Sequence, residues 1–199
     1  MMQKSNILFQ HFPKFLSSNC FELIMDAVKD KIYLRKNFAS LEKQNEYAKA
    51  NGYSTKKRKS CIFSLHELNL WGAEPFLHSY PYSELPPIIE EIRILLEKFT
   101  NEIYDYVLVH IYEDGKGSIN WHSDREAMKT PIASISFGAT RKFRLKQKGK
   151  TSGYDHEFKL ASGDLFMMYT GCQSKYVHSV PIECKVKEPR INLTFRRYE

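Results

Sequence analysis

The sequence predicts a mainly β protein with flanking helices. Three observations carry that expectation: short alternating segments from Tyr106 to Arg197, turn residues between them, and two helical stripes ahead of them. The first stripe follows Ser17, Ser18 and Asn19, which offer N-cap oxygens, and places Phe21, Ile24, Met25 and Val28 on one face of a helix over Cys20 to Ile32. The second opens at Pro86 and Pro87 and aligns Ile88, Ile92, Leu95, Leu96, Phe99 and Ile103 at steps of three and four. Between the helices, Leu41 to Lys59 is polar and rich in Lys and Asn, the composition of a mobile loop.

From Tyr106 the period shortens to two, with Val107, Val109 and Ile111 alternating with Leu108, His110 and Tyr112. Further strands are predicted over Ser118 to His122, Ile132 to Phe137, Lys142 to Lys146, Glu157 to Leu160, Leu165 to Tyr169, Tyr176 to Val180 and Ile191 to Arg197. Gly138, Gly149, Ser162-Gly163-Asp164 and Gly171 punctuate them. Such a series closes as a sandwich, a jelly roll or a barrel, with the helices packed outside.

At 199 residues the chain fits one domain with a sizeable core. Its N-terminal stretch lacks the apolar run of a secretory signal, and no segment approaches a membrane span, so an intracellular, non-membrane monomer is expected, nuclear or cytoplasmic. Four cysteines without a C-x-x-C pair argue against a cysteine zinc site and a disulfide framework. A net charge of +7 favours a polyanionic partner such as nucleic acid. Lys56 to Lys59 form the densest basic cluster; a solvated turn, a phosphate-contacting loop and a nuclear-import signal all fit it.

Chemistry concentrates near the C-terminus. In Pro189 to Arg196 the polar residues Arg190, Asn192, Thr194 and Arg196 fall at every second position, so an extended strand puts them on one face and Ile191, Leu193 and Phe195 on the other. Two arginines on such a face suit a carboxylate-bearing ligand. Upstream, His122 and Asp124 form an H-x-D pair able to grip a metal from one side, and His178 follows on a later predicted strand. Two histidines and a carboxylate are the facial triad of non-haem iron(II) oxygenases, which leaves three coordination positions open.

Trp121-His-Ser-Asp124, Pro131 to Ala139, Gly163 to Met168, His178-Ser-Val-Pro181 and Pro189 to Arg196 together resemble the AlkB-type iron(II)- and 2-oxoglutarate-dependent dioxygenases. The resemblance is close over Tyr106 to Tyr198 and looser over Phe12 to Leu16 and Arg58 to Phe63. It implies a double-stranded β-helix (jelly roll) over 106–199, preceded in 1–105 by an α/β extension and a nucleotide-recognition lid. It implies that His122, Asp124 and His178 bind iron and that Arg190 pairs with the distal carboxylate of 2-oxoglutarate. Asn192 and Thr194 would support that contact, Arg196 would lie near the iron-bound end, and Tyr112 would donate to the co-substrate. His110 stands where these demethylases usually carry Asn, and either donates to the co-substrate or packs in the core without a role. Glu126 would meet the exocyclic edge of a substrate base, while Phe63, Trp71, Phe76, Tyr80 and Arg58 would contribute to the lid, with Tyr82 as a further aromatic. Trp121 either lines the pocket mouth or packs in the sheet, with packing the expectation, and Arg125, Arg141, Lys146, Lys148 and Lys150 are candidate phosphate contacts or solvated charges.

The implied activity is oxidative demethylation, using O2, of bases such as 1-methyladenine and 3-methylcytosine in DNA, with release of formaldehyde, succinate and CO2. The alternatives are the same chemistry on RNA, a hydroxylase of protein, lipid or a small molecule on the same fold, and a non-catalytic nucleic-acid binder. The intact triad and both arginines weigh against the last.

Overall fold

A computed structural model describes residues 7–29, 58–71, 77–80 and 83–198. In chain order the elements are β1 (Phe9–Phe12), α1 (Cys20–Val28), β2 (Arg58–Ser64), β3 (Leu68–Trp71), β4 (Leu77–Tyr80), α2 (Pro87–Thr100), β5 (Tyr106–Tyr112) and β6 (Ile119–His122). A 3-10 turn at Arg125–Ala127 follows, then β7 (Ile132–Gly138), β8 (Arg141–Gln147), β9 (His156–Leu160), β10 (Leu165–Met168), α3 (Cys172–Lys175), β11 (Tyr176–Val180) and β12 (Arg190–Arg196).

The expected jelly roll is present as two antiparallel sheets, one of six strands in the order β1-β10-β7-β12-β5-β2 and one of four in the order β6-β11-β8-β9. Alternation assigns each face of the larger sheet. Val107, Val109 and Ile111 of β5, Ile191, Leu193 and Phe195 of β12, and Ala133, Ile135 and Phe137 of β7 form one core with Ile24 and Val28 of α1 and Ile89, Ile92 and Leu96 of α2. Burying each such side chain stabilises the fold by about 1.5–3 kcal/mol. The opposite face carries Tyr112, Ile132, Phe166 and Met168 and meets Phe143, Leu145, Leu160 and Val180 in a second core. β12 lies between β5 and β7, paired in full register with each.

Several expectations change here. Helix α2 stops at Thr100 because Asn101 takes a left-handed conformation (φ 56°) and its N–H donates to the Glu97 carbonyl at 2.9 Å. Ile103 therefore lies beyond the helix, and it, Leu95 and Phe99 are exposed; the buried stripe is Ile89, Ile92 and Leu96. Asn19 occupies the N-cap of α1 without a capping side-chain hydrogen bond. Arg58 and Lys59 belong to a strand, not a solvated turn, and β2 pairs with β5 from Arg58↔Tyr112 to Ser64↔Tyr106. Residues 41–57 of the expected loop, Lys56 and Lys57 among them, lie outside the described residues. Arg141 is not a phosphate contact: it is 1% exposed, pairs with Glu183 at 3.0 Å, and donates to the carbonyls of Asp114, Gly115, Gly117 and Pro181.

Arg141 thereby locks the loop after β5 to the loop after β11. Those loops also bond directly, Gly115 N–H to the Val186 carbonyl and Glu183 N–H to the Gly115 carbonyl. A Cβ at position 115 would meet the Glu183 oxygen at 1.9 Å, so only glycine permits this approach. Among the described residues no helix is long and apolar enough to cross a membrane.

Candidate metal and co-substrate site

The four-stranded sheet brings the predicted triad together. His178 of β11 pairs in register with His122 at the end of β6, so the imidazoles project side by side with ring centroids 4.2 Å apart. Asp124, two residues beyond His122 in extended conformation, swings its carboxylate to the same side. Its Oδ1 lies 3.6 Å from His122 Nε2 and its Oδ2 lies 3.7 Å from His178 Nε2. Ligating atoms of the three residues all fall within 4.8 Å of one another.

The electrostatics suit a cation. His122 Nδ1 lies 2.8 Å from the Asn120 carbonyl, an acceptor only, so Nδ1 donates there and Nε2 is the nitrogen turned to the metal position. Burial pushes His178 down to about 3, which keeps it neutral. Burial alone would raise Asp124, but Arg196 and the neighbouring histidines outweigh it and bring the carboxyl down to about 2. Arg196 Nη2 sits 3.0 Å from Asp124 Oδ2, and its Nη1 donates to Glu126 Oε1. Burial disfavours the Arg196 cation, yet Asp124, Tyr106 and Glu126 override that and raise its pKa. Asp124 Oδ2 is buried and accepts no hydrogen bond, which leaves a lone pair for a metal.

On the face of the larger sheet that meets the four-stranded sheet, a second group of polar atoms lacks partners. Arg190, 1% exposed, donates from Nη2 to Ser136 Oγ at 2.9 Å, while its Nε and Nη1 are buried without partners. The Tyr112 hydroxyl is likewise orphaned, and the Arg190 guanidinium lies 5.1 Å from the centre of that ring. Orphaned buried donors are costly, about 1–3 kcal/mol each, and this cost is relieved by an anionic ligand. The donor set fits a carboxylate, and the triad beside it fits a divalent metal such as iron.

Asn192 and Thr194 are already engaged. Asn192 donates to Ser134 Oγ and the Ile135 carbonyl, each at 2.9 Å, and Thr194 donates to Asn192 Oδ1 at 3.2 Å. They brace β12 against β7. His110 faces Asn192 in register, and its Nδ1 shares a 2.7 Å hydrogen bond with Ser60 Oγ. Burial, reinforced by Arg58, drives its pKa well below the ordinary value, so the ring is neutral.

The expected lid residues divide. Arg58 lies opposite Tyr112 and shares the face of Ser60 and His110. Phe63 does not: it stands three positions after Ser60, an odd offset, so it points to the helix side, 1% exposed in the first core, away from the triad. Trp71 and Tyr80 lie on the β3-β4 hairpin, where only the backbone is described, and Phe76 and Tyr82 fall outside the described residues. Trp121 is 37% exposed, not packed within the sheet. Glu126 remains partly accessible beside Arg196.

One positioning residue has no signal in the sequence. Gln173, 2% exposed in α3, accepts the Asp124 N–H on Oε1 at 2.9 Å and donates from Nε2 to Met168 Sδ at 3.2 Å. Ser60, Ser134 and Ser136 were also unmarked, although the Ser-Ile-Ser alternation of β7 is a strand signature.

A family profile described as the 2OG-Fe(II) oxygenase superfamily matches residues 9–196. The DNA oxidative demethylase ALKBH2 of Bos taurus is 36% identical over 120 residues, 56% of this chain and 43% of that protein. The human alpha-ketoglutarate-dependent dioxygenase alkB homolog 3 is 32% identical over 154 residues, 70% of this chain and 54% of that protein. The chain thus spans about half the length of the curated relatives it matches. The solved structure of OsALKBH1 superposes with a TM-score of 0.66 at 18% identity, covering 96% of this chain and 98% of that one, and supports the fold. With its triad, its orphaned arginine and tyrosine and this coverage, the chain belongs to the 2OG-Fe(II) oxygenase superfamily, among the AlkB-family dioxygenases.

Proposed function

We propose that the protein is an iron(II)- and 2-oxoglutarate-dependent demethylase of N-methylated bases in nucleic acid, with DNA as its substrate. The observation that carries this reading is the His122-Asp124-His178 cluster of the four-stranded sheet together with the unfilled donors of Arg190 and Tyr112 on the inner face of the larger sheet. Relatives named DNA oxidative demethylase give the reading its substrate class. When bound with 2-oxoglutarate and O2, iron(II) supplies the oxidation of an N-methyl group, which ends in formaldehyde, succinate, CO2 and the unmodified base.

The chain's residues divide the remaining work. His122 and His178 offer ring nitrogens and Asp124 an ionised oxygen, the mixed set that suits iron(II). Arg190 and Tyr112 hold the distal carboxylate of the co-substrate, and Ser136 of β7 keeps Arg190 aimed. Arg196 holds Asp124 charged and links it to Glu126, which accepts from the amino edge of the extruded base.

The test supplies iron(II), 2-oxoglutarate and 1-methyladenine or 3-methylcytosine in single-stranded DNA, duplex DNA and RNA, and follows methyl loss by mass. Demethylation of the DNA substrates is expected. Demethylation of RNA alone would move the substrate to RNA, and absence of both demethylation and 2-oxoglutarate turnover would overturn the reading.

A further inference from the structure

The outer face of the four-stranded sheet is not used by the chemistry above. β8 turns Phe143 and Leu145 inward and sends Lys142, Arg144 and Lys146 outward at every second position, with Lys148 next in line. A two-residue repeat on a strand is roughly 6.8 Å, commensurate with successive phosphates on an extended nucleic-acid strand. Two exposed aromatics border this row. The Lys146 ammonium stands 4.8 Å from the centre of the Trp121 ring, and the Arg144 guanidinium stands 4.5 Å from that of Tyr154. Lys159 lies opposite Lys142 on β9. The carboxylate of Glu157 contacts Arg144 at 2.7 Å and Lys142 at 3.8 Å, partly exposed ion pairs of little strength that phosphate can displace.

We infer that this face is a track for single-stranded nucleic acid flanking the reacting base, with the β8 cations on its phosphates and Trp121 and Tyr154 as stacking platforms. Charge complementarity selects the occupant: a ladder of cations interleaved with exposed rings matches a polyanion that carries flat bases. Trp121 adjoins the metal ligand His122 yet faces the other side of the sheet, so the track starts one residue from the reaction site without entering it. The inference rests on the nucleic-acid reading of the function, and its test separates the two.

The chain is titrated into a fluorescein-labelled, unmethylated oligothymidylate over a range of salt, with anisotropy as the readout. Lys142→Gln/Lys146→Gln should weaken binding and lower the slope of log K against log salt by about 0.7 per lysine removed. Trp121→Ala should weaken it roughly tenfold, as for loss of one stacked base. Lys98→Gln on α2 is the control and should change neither. Wild-type affinity and slope in the double variant, an equal effect of Lys98→Gln, or no binding by the native chain would each overturn the track. Ladder-dependent binding without demethylation would leave the track standing and remove the proposed activity. Demethylation with an unchanged KM for methylated oligonucleotide in the double variant would do the reverse.

Discussion

The buried side chain of Gln173 accepts the backbone N–H of Asp124 at 2.9 Å, joining the short helix before β11 to the loop that presents the carboxylate. Both halves of the triad are thus tied to one amide, since His178 follows Gln173 on the next strand. Replacing Gln173 with Met, of similar length but without the acceptor, should weaken Mn(II) or Co(II) binding by about 10–100-fold in calorimetric titrations. A drop in thermal stability with unchanged metal affinity would refute this positioning role.

Arg190→Lys retains a positive charge but cannot reproduce the guanidinium geometry. The lysine should lose one or more charge-assisted hydrogen bonds, and 2-oxoglutarate affinity should fall about tenfold or more. Co-substrate-dependent thermal stabilisation in the presence of Mn(II) measures this without turnover.

The metal-free protein should weaken in acid over two windows. His178 has a folded pKa of about 3, below its ordinary 6.5, so the unfolded chain takes up the proton first and stability falls as pH drops from 6.5 towards 3. Asp124, lowered from 3.8 to about 2, contributes stability present above 3.8 and lost as pH falls through about 2. Urea denaturation in the presence of chelator should show the upper window flattened in His178→Gln.

Phe63→Ala discriminates core from lid. From the first core its loss should cost about 3–5 kcal/mol in urea unfolding, with the KM for methylated oligonucleotide unchanged at a temperature where the variant is folded. A KM effect with little loss of stability would return Phe63 to the substrate side.

Arg141→Met leaves Glu183 and a set of loop carbonyls without their shared donor. A loss of about 3–5 kcal/mol is expected, because a half-removed buried ion pair strands its partner. Chemical denaturation checks it, and a neutral result would mean that water replaces the guanidinium.

β12 was legible because a period of two leaves no ambiguity about which residues share a face, and the H-x-D pair was legible because its members are local. Phe63 misled because its row depends on where β2 begins, and the cations at Arg58 and Lys59 resemble a turn. The span of the α2 stripe was overestimated because amphipathicity does not reveal how much helix the sheet covers. Gln173 and Arg141 could not be read at all. Their backbone partners lie 49 residues away for Gln173 and between 24 and 40 away for Arg141, and no local pattern records such a meeting.

β12 has hydrogen-bonded neighbours on both edges, and its two faces meet the helix-side core and the triad. Its amides should therefore exchange with solvent only when the whole sheet opens. A molecule whose β12 amides are protected also has Arg190 and Arg196 in place, so the fraction of protein able to hold co-substrate can be counted by hydrogen exchange before any substrate is added.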